Sequence, residues 1–87
     1  MSYILGKHKA DVEAWKNVVE SHKESHVEAG LHFEQLWVNA DSPNEIFFMF
    51  KADDLNKAKS FLEKAGALDK EKQARGEIPE LFFLESR

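Results

Sequence analysis

The chain has no cysteine, so disulfide frameworks, thiolate nucleophiles and cysteine-ligated metals are excluded from the outset. It also lacks any long apolar run. Nothing approaches the roughly 20 apolar residues of a membrane-spanning helix, and the opening stretch Met1 to Lys7 is too short in apolar residues to be a signal peptide. The expectation is therefore no membrane partner and a cytoplasmic location. An excess of positive charge is missing too: twelve Lys and Arg stand against sixteen Asp and Glu, a formal net charge of −4, with the basic residues interleaved among the acids. A nucleic-acid partner would call for a basic stripe and is not expected. Gly-rich phosphate loops and Ser-His-Asp spacings are absent. The carboxylates fall mostly at helix caps and on polar faces, leaving no acid–base pair among them.

What is present fits one small domain. The 87 residues are 43% hydrophobic and 32% charged, an ordinary soluble balance, and make a single unit over residues 1–87. A chain of this size buries only about 60% of the surface it exposes when unfolded, so its own core is thin and association is a common remedy.

The clearest stretch is Asp41 to Ala52. Asp41 to Glu45 reads as a turn in which Pro43 presets the backbone. The strand that follows has Ile46, Phe48 and Phe50 on one face and Phe47 and Met49 on the other. Tyr3 to His8 reads as a first strand, Tyr3 and Leu5 on one face, Ile4 and His8 on the other, with Gly6 allowing a close approach. Asp11 can cap a helix that Gly30 ends. Within it Val12, Trp15, Val19, His22, His26 and Ala29 recur at steps of three and four, placing two histidines on the buried stripe. Leu31 to Ala40 reads as a second strand with Phe33 and Trp37 on one face and Leu36 and Val38 on the other. Asp53 or Asp54 caps a second helix with Leu55, Ala58, Phe61, Leu62 and Ala65 on its apolar stripe, ended by Gly66. Leu68 to Arg75 reads as a short helical turn closed by Gly76, and Glu80 to Glu85 as a last strand with Leu81 and Phe83 opposite Phe82 and Leu84.

The order is strand, helix, strand, strand, helix, strand. With right-handed crossovers this predicts an α+β, ferredoxin-like βαββαβ fold: a four-stranded antiparallel sheet with both helices on one face. Three strands carry apolar residues for both faces, so the uncovered face must meet something. A second copy of the same sheet is the simplest cover, and a homodimer with face-to-face sheets is the expectation.

The pattern Asp11-x-x-x-Trp15, His22, Ala29-Gly30, Asp41-x-Pro43-Asn44-Glu45-Ile46, Asp53-Asp54-Leu55-x-Lys57-Ala58, Pro79-Glu80-Leu81 and Phe83-Leu84-Glu85 resembles small bacterial proteins of the dimeric α+β barrel superfamily. Within it the chain looks most like short members labelled cyclase-like or grouped near the antibiotic biosynthesis monooxygenases. The resemblance implies a dimeric α+β barrel. It also implies cofactor-free chemistry, without metal or flavin, on an aromatic or polyketide-type compound held between helices and sheet by Asn, Trp, Tyr and Arg. Trp15, Trp37 and Asn39 are side chains of those kinds, while the two arginines both follow the second helix.

Three readings of the histidines stay open. His22 and His26, four apart, could share a metal if His8 or His32 supplied a third ligand. They could pack at the helix–sheet boundary with their nitrogens satisfied by backbone or water. Or His22 could be the acid–base group of an apolar pocket, where desolvation keeps an imidazole neutral and able to take a proton from an enol or phenol. The last gives the working assignment: His22 catalytic, with Trp15, His26, Trp37 and Asn39 binding a small organic ligand, and no metal or cofactor assigned. The competing reading is a non-enzymatic binding or dimerisation module in which the same side chains only pack.

Overall fold

The computed structural model describes residues 1–87. Its strands are β1 (Ser2–Lys9), β2 (Leu31–Asn39), β3 (Ser42–Ala52) and β4 (Glu80–Glu85). Its helices are α1 (Val12–Ser21), α2 (Lys23–Glu28), α3 (Leu55–Lys64) and α4 (Lys70–Ala74). The strands form one antiparallel sheet in the order β2-β3-β1-β4, the ferredoxin-like arrangement expected from the element order.

Three of the four helices, α1, α3 and α4, begin where a carboxylate can satisfy free N–H groups of the first turn. Asp11 accepts from Ala14 N at 3.0 Å; Asp54 accepts from Asn56 N and Lys57 N; Asp69 accepts from Glu71 N and Lys72 N. Asp53, the other candidate cap of the second helix, instead bonds His32.

The first helix is not continuous. At His22 the backbone leaves the helical region, with φ −108° and ψ 12°. The Val18 carbonyl, which would accept the His22 N–H in an unbroken helix, is taken by two side chains: Ser21 Oγ at 2.7 Å and His22 Nδ1 at 2.8 Å. The His22 N–H bonds one residue short, to Val19 O at 3.1 Å. Side chains that bond back to a helical carbonyl compete with the helix, and here they end it. His22 is consequently exposed, and only His26 of the pair is half-buried, which corrects the expectation of two histidines on a buried stripe.

Two further expectations are corrected in the β2–β3 hairpin. The turn is Ala40 and Asp41, not Asp41 to Glu45, and Asn39 pairs with Ser42. Pro43 lies inside β3, where the register slips between Val38 and Asn39 and leaves residues 43–45 outside the ladder with β2, so its missing N–H breaks no bond there. A second slip, between Phe33 and Gln35, inserts Glu34 as an extra residue. Past it every side chain changes face. Phe33 packs on Trp15 and Phe50, at 5.8 and 5.7 Å between ring centres, whereas Trp37 pairs with Phe47 on the opposite face.

The helices cover the face that carries Ile4, Ile46, Phe48 and Phe50. These residues form the core with Trp15, Ala29, Leu31, Ala52 and Ala58. Ile46 is fully buried, a burial that stabilises by about 1.5–3 kcal/mol. The Phe48 ring lies directly over Gly6, its partner on β1, where any Cβ would overlap it. It also packs on Trp15, 4.6 Å between ring centres and tilted by 34°. The other face of the sheet bears no helix. There the register aligns Tyr3, Leu5, Phe47 and Met49, all half-buried, with Trp37, Phe82 and Leu84, which are 43, 42 and 40% exposed.

Candidate functional site

Between the helices and the covered face of the sheet is a cavity of about 290 Å³. Its floor is Ile4, Leu31, Phe48, Phe50 and Leu81; α1 contributes Trp15, Val18 and Val19; Phe61, Leu62 and Ala65 close the α3 side. The only titratable side chains in its wall are His22 and His26. An apolar cavity with a few polar groups at one end is the usual form of a small-molecule site, and this volume is at the lower end of the usual range.

The two imidazoles differ in how they are held. His22 Nδ1 is 2.8 Å from the Val18 carbonyl and 3.1 Å from Ser21 Oγ. A carbonyl can only accept, so this contact places a proton on Nδ1, and in a neutral ring of that tautomer Nε2 carries the lone pair. His26 is set between aromatic edges, 5.3 Å from Phe50 and 6.0 Å from Phe61, with its ring centre 6.3 Å from that of His22. Burial lowers the His26 pKa from its ordinary value, and the neighbouring His22 lowers it further. Both effects favour the neutral ring.

The structure thus gathers Trp15, His22 and His26 around one cavity and separates Trp37 and Asn39 from it. Trp37 is on the uncovered face. Asn39 is at the hairpin end, where its Oδ1 accepts from Asp41 N at 2.9 Å and its Nδ2 donates to Glu45 at 3.0 Å. These bonds hold the turn. The expectation that Trp37 walls the helix–sheet pocket is corrected by the bulge at Glu34.

The side chains assemble no third ligand for a His22–His26 metal site, and no group of three or more His, Cys, Asp or Glu comes together to hold a metal ion. His32 Nε2 is committed to Asp53 Oδ2 at 2.8 Å, an interaction that lowers the Asp53 pKa from the usual carboxylate value. His8 faces a polar cleft with Arg75 and Gln73, and burial lowers its pKa. That cleft, about 300 Å³, carries charges of both signs, and Arg75 is already paired with Glu71 and Glu77.

The α3 wall and the His32–Asp53 pair were not identified from sequence. The α3 stripe signalled burial without saying against what. Asp53 was legible only as an alternative helix cap.

No protein-family model matches the chain, and no curated protein sequence does. Solved structures do match. A Deinococcus radiodurans protein classed as an antibiotic biosynthesis monooxygenase superposes on 100% of this chain and 93% of its own length, with a TM-score of 0.65 at 13% identity. An uncharacterized NIPSNAP domain protein from Burkholderia xenovorans covers 100% and 95%, with a TM-score of 0.60 at 16% identity. A dimeric ferredoxin-like protein from an uncultured marine organism covers 95% and 88%, with a TM-score of 0.55 at 14% identity. At these identities the likeness is one of fold alone: the chain has the ferredoxin-like α+β fold of these structures.

Proposed function

We propose that the protein is a small-molecule-binding homodimer: the uncovered sheet faces of two copies pack together, and the helix-covered cavity of each takes a small aromatic or polyketide-type compound. The observation that carries this reading is the cavity itself, apolar but for the imidazoles of His22 and His26. The dimer is supported by the helix-free face of the sheet, where exposed Trp37 on one edge strand and Phe82 and Leu84 on the other are joined by half-buried Phe47, Met49, Leu5 and Tyr3, an apolar face of the kind that marks an interaction site. A cytoplasmic location belongs to the same proposal.

His22 is the acid–base group. Its Nδ1–H is held by Val18, so Nε2 takes the proton from an enol or phenol at the cavity mouth, leaving an enolate or phenolate. Such an anion is the reactive species of both a cofactor-free monooxygenase-like reaction and a cyclase-like ring closure. Trp15 and His26 position the ring. The exposure of His22 favours the second reading, a binding or dimerisation module without turnover.

One comparison separates the two. Wild-type protein and His22→Ala are assayed for binding of hydroxylated naphthalenes and anthrones, for product formation, and for sedimentation as a dimer. An enzyme loses turnover in His22→Ala while keeping binding and dimer. If wild-type protein binds these compounds and transforms none, the non-enzymatic reading stands. If it binds none and sediments as a monomer, the proposal is wrong.

A further inference from the structure

The cavity has a neighbour. On the outer side of α1 and α2, above the start of β2, lies a groove of about 380 Å³, and the two spaces have Val19, His26, Leu31 and Phe50 in common. Leu31 and Phe50 are buried members of the sheet, 4 and 7% exposed, and form a fixed floor beneath both. Val19 is short and fixed on α1. The remaining side chain of the shared wall is the imidazole of His26.

Three features set His26 apart. It is carried by α2, six residues long and set off from α1 by the break at His22 and from β2 by Gly30, whose φ is 76°. Its ring rests against the edges of Phe50 and Phe61. His22 and His32, by contrast, are each anchored by a 2.8 Å hydrogen bond. The groove beyond it differs from the cavity in chemistry. Glu20 and Lys23 line it together with His32, and charges of opposite sign side by side suit a hydroxyl or carbonyl group better than a bare ion.

We infer that His26 is the specificity-determining partition of a two-chamber ligand site. With the imidazole in place the site takes a compact ring system in the inner chamber; with it displaced, the chambers join and admit an elongated ligand whose hydroxyl or carbonyl end reaches Glu20 and Lys23. This rests on the ligand-handling role proposed for the cavity.

The test is calorimetric titration of the 87-residue protein with 2-naphthol and with the longer 6-phenyl-2-naphthol, for wild type, His26→Ala and His26→Phe. Wild type is expected to bind 2-naphthol at least about tenfold more tightly than the longer probe, the scale on which an apolar pocket discriminates by size. His26→Ala should bring the ratio of the two affinities down to about one, whatever it does to the affinity for 2-naphthol itself. His26→Phe, which keeps an aromatic ring in the wall, should preserve it. If His26→Ala fails to fold, His26→Val takes its place. Equal binding of both probes by wild type, or an unchanged preference in the small variant, overturns the partition while 2-naphthol binding leaves the cavity reading standing. Absence of binding by every variant overturns both.

Discussion

His22 Nδ1 and the Val18 carbonyl oxygen, one helical turn apart, are 2.8 Å from each other, and this bond both ends α1 and aims the imidazole. Replacing His22 by Ala removes a side-chain competitor for that carbonyl, although Ser21 Oγ remains. The helix break should persist. Because His22 is exposed, stability should change by no more than about 0.5 kcal/mol, the usual range for surface substitutions, while any proton-transfer activity disappears. Urea denaturation and turnover measured on the same preparation check this, and a large stability loss would identify His22 as a packing residue.

Gly6 and Phe48 give a second prediction. The ring occupies the space in which any Cβ at position 6 would lie, and it is also the surface on which Trp15 packs. Gly6→Ala must displace Phe48 or bend β1. Overpacking of this kind destabilises by about 1–3 kcal/mol, and the urea midpoint should fall accordingly. Since the displaced ring is part of the cavity floor, ligand affinity should fall with it.

His26 makes stability depend on pH with a definite sign. Its folded-state pKa is lowered from the ordinary value of 6.5 by burial and by His22, so the unfolded chain binds the proton more readily. Stability from this group is fully present above pH 6.5 and is lost as pH falls below it, until the folded-state value is reached. His8, lowered by burial, acts in the same direction. Denaturation midpoints of the wild type should drop on acidification from pH 7.5 to 5.5. His26→Phe should show a shallower drop, and equal slopes would mean the ring is as accessible to protons folded as unfolded.

Much of this architecture was legible because strand alternation and helix periodicity are direct consequences of backbone geometry. The faces of β1, β3 and β4 follow from Ile4, Ile46, Phe48, Phe50, Leu81 and Phe83 without further information. The parts that escaped were single-residue events. Glu34 carries no glycine or proline to mark the bulge, so simple alternation put Phe33 and Trp37 together. The three-and-four spacing through Val19, His22 and His26 continued across the helix break and concealed it. The sign was local: Ser21 and His22, both able to bond back to Val18. Pro43 suggested a turn where it is a strand residue that skips one ladder. The candidate cavity required knowledge of which side of α3 faces α1 and α2 across the sheet, and no periodicity within one helix contains that.

The uncovered face supplies the last prediction. Trp37 is 43% exposed on edge strand β2, beside half-buried Phe47, and the exposed Phe82 and Leu84 lie on the same face at the opposite edge strand, β4. In a face-to-face dimer Trp37 would be desolvated against the partner sheet. Aromatic anchors of that kind carry about 2 kcal/mol or more of binding energy each, and a carboxylate in their place would be buried without a partner. Trp37→Glu should therefore raise the dimer dissociation constant by at least about 30-fold, the equivalent of that energy. The protomer itself should still fold, because Trp37 contributes nothing to the helix-covered core. Sedimentation velocity over a concentration series distinguishes the outcomes. A folded monomer from Trp37→Glu locates the interface on this face. An unchanged dimer would place it on another surface, and would leave the face bearing Trp37, Phe82 and Leu84 to a different partner.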